Sequence, residues 1–259
     1  MNNFFEHHIK KNFPFLLREK FVLAISGGID SVALAYLCHQ MKMNFELAHC
    51  NFNLRGQESD DDEAFIEQLG SNLSIPVHVK KFETLQYAKE YKMSVQMAAR
   101  SLRYSWFNDL AEGNKFKYIV TAHHADDNFE TFLINLFRGT GLDGLLGIPE
   151  VNDNIVRPLL PFKREAIEKF AENFNLQWRE DSSNTSTKYV RNKIRQEVLP
   201  ILKKINPQLL ENFERTQTYL KQTKSIVDDR LNDVSHTVIQ QKGNDKLIFD
   251  IVALQKLDN

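Results

Sequence analysis

Cysteine is almost absent: Cys38 and Cys50 are the only two in 259 residues. Two are too few for a disulfide framework, and they are not spaced as Cys-x-x-Cys. No apolar run approaches the ~20 residues that a membrane span needs. Residues 1–20 carry His7, His8, Lys10 and Lys11 and no long apolar core, so they do not read as a secretory leader. An excess of one charge is missing too. With 33 basic and 34 acidic side chains the formal net charge is −1, which excludes a uniformly basic nucleic-acid binder but leaves room for a local basic stripe. What remains is an ordinary globular composition, 42% hydrophobic and 26% charged, long enough for one large α/β domain and a smaller appendage. The expectation is a cytoplasmic protein with no membrane partner.

The apolar run at 21–25 stops at Ser26-Gly27-Gly28 and reads as a buried strand entering a turn; Val32, Leu34, Ala35, Leu37 and Cys38 then follow at helical spacing. Further strands are expected at 45–50, 76–79 and 117–121, and helices at 94–112 and 125–137. A helix through Phe65, Ile66 and Leu69 is expected to start at a capping box in Ser59-Asp-Asp-Asp62. Strands alternating with helices over 1–180 predict an α/β fold with a doubly wound parallel sheet. Beyond about residue 185 the texture changes: a long polar helix at 208–231 and two short strands at 234–239 and 247–252 are expected. The division is a nucleotide-binding, catalytic domain over 1–185 and a smaller, mainly helical region over 186–259, read as an abbreviated or truncated C-terminal domain.

Ser26-Gly-Gly-Ile-Asp-Ser31 lies between the first strand and the first core helix. Its glycines permit a tight turn, and the helix N-terminus offers free N–H donors and positive dipole to an anion. Ser26 and Ser31 add hydroxyls, and Asp30 suits Mg²⁺ held against phosphate oxygens. The loop is not Gly-x-x-x-x-Gly-Lys-Ser/Thr, so it does not suggest γ-phosphoryl transfer. Thr121-Ala-His-His-Ala-Asp-Asp-Asn-Phe-Glu-Thr131 follows the fourth strand at the ligand-binding edge of such sheets. On a helix starting near Ala125, Asp126 and Asp127 share a face with Glu130, with His123 and His124 just before them. Such a cluster can hold a hard cation at Asp126, take a proton from an amine, and orient a base. It lacks the His-Glu-x-x-His spacing of a zinc helix.

The loop resembles the Ser-Gly-Gly-x-Asp-Ser signature of the PP-loop ATP pyrophosphatases. Together with His123-His-x-Asp-Asp-x-x-Glu-Thr131 and Phe137-Arg-Gly-Thr-Gly-Leu-Asp-Gly-Leu145, it is similar to the tRNA(Ile)-lysidine synthetase family. Asn53-Leu-Arg-Gly56, Gln96-Met-Ala-Ala-Arg-Ser-Leu-Arg-Tyr104, Val156-Arg-Pro-Leu-Leu160, Trp178-Arg-Glu-Asp-Ser-Ser-Asn184 and Tyr189-Val-Arg-Asn-Lys-Ile-Arg195 extend the resemblance over about residues 20–205. It implies the adenine nucleotide α-hydrolase-like fold and ATP as co-substrate, with Mg²⁺. Ser26, Gly27, Gly28, Ile29, Asp30 and Ser31 would bind ATP. It further implies adenylation of O2 of the wobble cytidine of a tRNA(Ile) with a CAU anticodon, then attack of L-lysine at C2. Asp127 is the expected base, with His123 or His124 and Glu130 assisting. A homodimer is likewise implied. One departure is Phe52, where many relatives carry a second histidine.

Arg100 and Arg103 share a helix face and suit phosphate or base edges. Arg138 begins a stretch in which Gly139, Gly141, Gly144 and Gly147 predict either close approach to a ligand or a flexible turn. Residues 186–204 hold six basic side chains against Glu197 alone. Lys188, Arg191 and Arg195 form a stripe which, with Asn184 and Asn192, predicts contact with RNA. The competing readings are a tRNA 2-thiolation enzyme of the same fold, which needs a reactive cysteine, and a non-catalytic ATP- or RNA-binding module.

Overall fold

The computed structural model describes residues 1–180, 190–242 and 246–257. An amphipathic N-terminal helix α1 (Asn2–Asn12) leads into β1 (Phe21–Ala24), α2 (Ile29–Gln40), β2 (Phe45–Asn51), α3 (Gln57–Leu73) and β3 (Val77–Lys81). Then come α4 (Thr84–Glu90), α5 (Val95–Gly113), β4 (Tyr118–Val120), α6 (Ala125–Phe137) and α7 (Leu142–Leu145). The short β5 (Val151–Asn152) and β6 (Ile155–Val156) precede α8 (Arg164–Asn173). The C-terminal part holds α9 (Val190–Lys193), α10 (Leu199–Ile205), α11 (Leu209–Val238), a hairpin of β7 (Ile239–Lys242) and β8 (Leu247–Phe249), and α12 (Ile251–Gln255).

The main sheet has the order β3-β2-β1-β4-β6-β5 and is parallel except for the β5–β6 pair. Strand order reverses between β1 and β4, and ligands of doubly wound sheets enter at the carboxyl ends flanking such a point. Alternation in β1 shows why the sheet is covered twice. Phe21 and Leu23 join a core with α1, α2 and α8. Val22 faces the opposite core of Trp106, Phe107 and Phe116 from α5 and its exit.

A third cluster joins α6 (Phe129, Leu133) to Ile194, Leu199, Leu210 and Phe213. The boundary expected at 185 falls within 181–189, outside the described residues, and the described chain beyond it shares a core with α6. Between α9 and α10 the helix widens into a π turn over Ile194–Val198. Pro200, at the start of α10, has no N–H for an i→i−4 bond and its ring crowds the preceding turn, which accounts for the widening.

Three local expectations need correcting. α3 begins at Gln57, with Gly56 as N-cap at φ 55°; Ser59 lies inside the helix, where its hydroxyl accepts from the Arg55 N–H at 3.2 Å. The β-branched run at 234–239 is mostly the last turn of α11, with Val238 4% exposed. Only 247–249 of the expected last strand is extended, and Asp250 then caps α12 by accepting from Ala253 N–H.

Of the four glycines after α6, Gly139 and Gly141 have open space, whereas Gly147 abuts a buried amide pair. Asn128 Nδ2 donates to Gln217 Oε1 at 2.8 Å, Gln217 Nε2 donates to the Leu146 carbonyl at 2.8 Å, and Ile148 N–H donates to Asn128 Oδ1 at 2.7 Å. Gly147 has φ +70°, and a Cβ there would stand 2.2 Å from Asn128 Oδ1 and 2.5 Å from Gln217 Nε2. Gly147→Ala should therefore destabilise the protein by about 3 kcal/mol, lowering Tm by roughly 10 °C. Gly139→Ala is the control: φ is also +70° but the space is open, so about 1 kcal/mol is expected. Equal losses in thermal denaturation would show that the amide pair does not require Gly147.

Candidate active site at the sheet switch point

The loop after β1 and the loop after β4 meet beside each other at the reversal of strand order. In the first, Gly27 takes φ +87°, a backbone that L side chains rarely adopt. Gly28 is the N-cap of α2. Ser31 Oγ donates to the Gly28 carbonyl at 2.9 Å and accepts from the Ser26 N–H at 3.2 Å. Gly28 N–H donates to Ser26 Oγ at 3.3 Å. The loop is thus set before any anion arrives, and Arg179 N–H ties the Gly27 carbonyl at 2.9 Å from outside.

Asp30, one residue into α2, accepts from Arg164 at 2.5 Å through Oδ2, while Oδ1 is buried without a hydrogen-bond partner. Burial raises the Asp30 carboxyl above its ordinary range, against the opposing pull of His124 and Arg164. An oxygen donor left unsatisfied beside a phosphate-type loop fits a hard cation shared with phosphate. Asp126 has another task. Its oxygens accept from Lys203 Nζ and, at 3.0 Å, from the Arg164 N–H, so it fastens α6 to α8 and α10. Among the described residues no group of three His, Cys, Asp or Glu side chains is arranged to hold a metal ion.

α6 begins as its sequence predicts. His124 is the N-cap, and its N–H donates to Asp127 Oδ2 at 3.0 Å. The His124 ring is wedged among three carboxylates, Asp127, Asp30 and Asp126, at 3.4, 3.7 and 3.8 Å. The ring of His123 instead meets Thr121 Oγ1 at 2.9 Å. Burial lowers the His123 pKa to about 4, although Asp127 pulls the other way, so the ring is neutral at pH 7. An unfolded histidine protonates near 6.5. The native preference for the neutral ring therefore stabilises fully above that pH and is lost as pH falls from about 6.5 to about 4, up to about 3 kcal/mol. His123→Asn should flatten stability against pH across that window in urea titrations, whereas an unchanged slope would remove His123 as its source.

The acids of α6 are not free. Arg195 Nε donates to Glu130 Oε1 at 2.6 Å, and one terminal nitrogen bridges Asp127 Oδ1 at 2.6 Å and Glu130 Oε2 at 3.0 Å. Glu130 is fully buried; burial, with Asp127 nearby, raises its carboxyl despite Arg195. For Asp127 burial is outweighed by His124, Arg195 and His123, which hold it below the usual carboxylate range. Arg191 donates to Thr131 Oγ1 at 2.7 Å and lies 3.8 Å from Glu130. Two members of the basic stripe, Arg191 and Arg195, thus stand against the acids of α6, because buried carboxylates demand counter-charge. Lys188 and Asn184 lie outside the described residues, and Asn192 is half-buried on the same helix. Arg103 stacks over the Phe52 ring at 5.2 Å and Arg100 over Tyr104 at 4.7 Å, while Arg138 is exposed at the end of α6. Phe52 thus gives Arg103 an aromatic face where a histidine was absent.

Arg164 was not signalled by the sequence, and Lys203 and Arg179, although part of the basic stretch and of the Trp178 motif, were not placed at this site. They reach the site from 38 or more residues away in the chain, where no local spacing marks them.

A family model described as PP-loop domain matches residues 1–202. The tRNA(Ile)-lysidine synthase of Petrotoga mobilis is 38% identical over 244 residues, covering 91% of this chain and 78% of that protein. The chain belongs to the tRNA(Ile)-lysidine synthase family. Another tRNA(Ile)-lysidine synthase, from Porphyromonas gingivalis, is 44% identical over 218 residues. The alignment covers 84% of this chain but 48% of that protein, and the Bacteroides thetaiotaomicron family member is covered to 55%. The chain thus spans about half the length of several of these tRNA(Ile)-lysidine synthases. Among solved structures, the U34-tRNA thiolase NcsA from Methanococcus maripaludis, with its [4Fe-4S] cluster, has a TM-score of 0.68 at 18% identity, covering 84% of this chain and 77% of that one. That likeness shows the family's fold alone. Among the described residues no helix is long and apolar enough to cross a membrane.

Proposed function

We propose that the chain carries the two-step ligation of L-lysine to the wobble cytidine of a tRNA(Ile) with a CAU anticodon. In the first step the cytosine O2 attacks the α-phosphorus of ATP, and pyrophosphate leaves. In the second the ε-amine of lysine attacks C2, the C2–O2 bond breaks, and AMP departs with that oxygen. The observation that carries this reading is the paired arrangement at one switch point: a preset anion loop at 26–31 and, across from it, Asp127 and Glu130 converging on the Arg195 guanidinium.

The backbone of Gly27 and Gly28, the Ser26 and Ser31 hydroxyls and the first turn of α2 at Ile29 would bind the nucleotide's phosphates. Asp30 would hold Mg²⁺, whose charge would offset that of the pyrophosphate leaving group. His123, neutral and half-buried, is the histidine suited to assist at the base or phosphate, whereas His124 is spent among the acids. The lysine ammonium would take the place of the Arg195 terminal nitrogen at Asp127, while Arg195 keeps Glu130 through Nε. Asp127 would then accept the ammonium proton as C2 is attacked.

The thiolation alternative is weakened by the cysteines. Burial pushes the Cys50 thiol up to about 12 and raises that of Cys38 further, so neither supplies thiolate at neutral pH. With ATP, Mg²⁺ and the tRNA but no lysine, pyrophosphate should be released in a single burst with AMP retained on the RNA; lysine should then restart turnover. Pyrophosphate release that ignores the RNA, or turnover that waits for a sulfur donor, would refute the proposal.

A further inference from the structure

Each cation around the acids of α6 has a carboxylate: Arg195 takes Asp127 and Glu130, Arg164 takes Asp30, Lys203 takes Asp126. Arg157 does not. It stands one residue beyond the Val120–Val156 pair of β4 and β6, beside Thr121, whose N–H donates to the Val156 carbonyl at 2.9 Å and whose hydroxyl meets His123. Arg157 is 6% exposed. One terminal nitrogen donates to the Pro149 carbonyl at 2.8 Å, and Nε is buried with no hydrogen-bond partner. Among the described residues no carboxylate pairs with it; the groups acting on its charge are Tyr104 and Arg100. A buried guanidinium lacking a counter-ion is costly unless an anion arrives from outside.

We propose that Arg157, flanked by Arg100 and Tyr104, is the subsite for the α-carboxylate of the amino-acid substrate, with the ε-ammonium across His123 at Asp127 and Glu130. The inference rests on the ligation reading above. His123 feels both the negative charge of Asp127 and the positive charge of Arg157, so groups of opposite charge flank its surroundings. Neighbouring strands are ~4.8 Å apart, and an extended lysine spans about 7 Å from carboxylate to ε-nitrogen. A guanidinium sunk this deep suits a small planar carboxylate, for which its fork is matched, better than a polymer phosphodiester, which needs a surface cation. The nucleotide's phosphates have their own loop two strands away at β1.

Calorimetry on the intact chain tests this with three ligands: L-lysine, 6-aminohexanoate and cadaverine, the diamine that lacks the carboxylate. Lysine and 6-aminohexanoate should bind, with cadaverine on the order of 100-fold weaker. Arg157→Met should weaken lysine about 100-fold and leave cadaverine unchanged, and Arg157→Lys should recover part of the loss. If Arg157→Met does not fold, the ligand series on the unmodified chain decides alone. Equal binding of lysine and cadaverine, equal losses for both in the variant, or no lysine binding at all would overturn the subsite. So would a variant that keeps lysine but binds tRNA with a shallower salt dependence, which would assign Arg157 to a phosphodiester. Lysine bound with carboxylate preference but never joined to RNA would uphold the subsite and refute the ligation reading. Cadaverine joined to RNA as readily as lysine would do the reverse.

Discussion

Asp127→Asn should reduce lysine incorporation by at least about 10³-fold while leaving ATP binding intact. The amide keeps the size of the carboxylate and can still accept from the His124 N–H, now at 3.0 Å, so the start of α6 should persist. What is lost is the negative charge that replaces Arg195 by an ammonium and the lone pair that takes its proton. The two losses separate by pH. Because Asp127 is held below the ordinary carboxylate range, it is ionised throughout pH 5–9, so an acid limb of kcat/KM above pH 5 belongs to the lysine ammonium or another group. Asp127→Glu should restore part of the rate with the same limb. Incorporation by Asp127→Asn within tenfold of the unmodified chain would remove Asp127 from the chemistry.

Arg195→Met should destabilise the fold by about 3–5 kcal/mol, the range found when one partner of a buried ion pair is deleted. Glu130 has no exposed surface and would lose both of its Arg195 contacts, at 2.6 and 3.0 Å; Asp127 would lose one. Glu130 already titrates above its unfolded value, and losing Arg195 should raise it further. A raised native carboxyl opposes folding at high pH, and that penalty is relieved as pH falls through the native pKa. Both chains lose the His123 contribution on acidification, so it is the difference between variant and unmodified chain that should shrink as pH falls through the raised Glu130 pKa. The double variant with Glu130→Gln should recover much of the loss at pH 7. Urea denaturation showing a loss under 1 kcal/mol, or no recovery in the double variant, would mean that the pair is solvated and contributes little.

The phosphate loop and α6 were legible because each is a short motif bounded by a strand and an apolar helical repeat, and α6 begins and ends where its pattern does, at Ala125 and Phe137. The parallel, doubly wound character of the sheet followed from the alternation of strands and helices, whereas its order and the short β5 and β6 did not. The start of α3 was missed because a glycine at φ 55° set the N-cap ahead of an attractive Ser-x-x-Asp. The β-branched run near Val238 misled because a 30-residue helix overrides local preference when its last turn is buried. The stripe of Arg191 and Arg195 reads as one helix face and was assigned to RNA; its pairing with the acids of α6 was not legible, since periodicity says which residues share a side and not what faces it. Arg157 carried no signal beyond its motif, because an orphan charge is visible only once its neighbours are placed.

The most direct test of the proposed activity is to supply the chain with ATP, Mg²⁺, labelled lysine and tRNA(Ile) with a CAU anticodon, and to count label in the RNA. Label should enter about one per tRNA, require ATP, and vanish when the wobble cytidine is replaced by uridine. Label that persists after that replacement, or RNA that stays unlabelled while pyrophosphate is released without it, would contradict ligation at the wobble base by this chain.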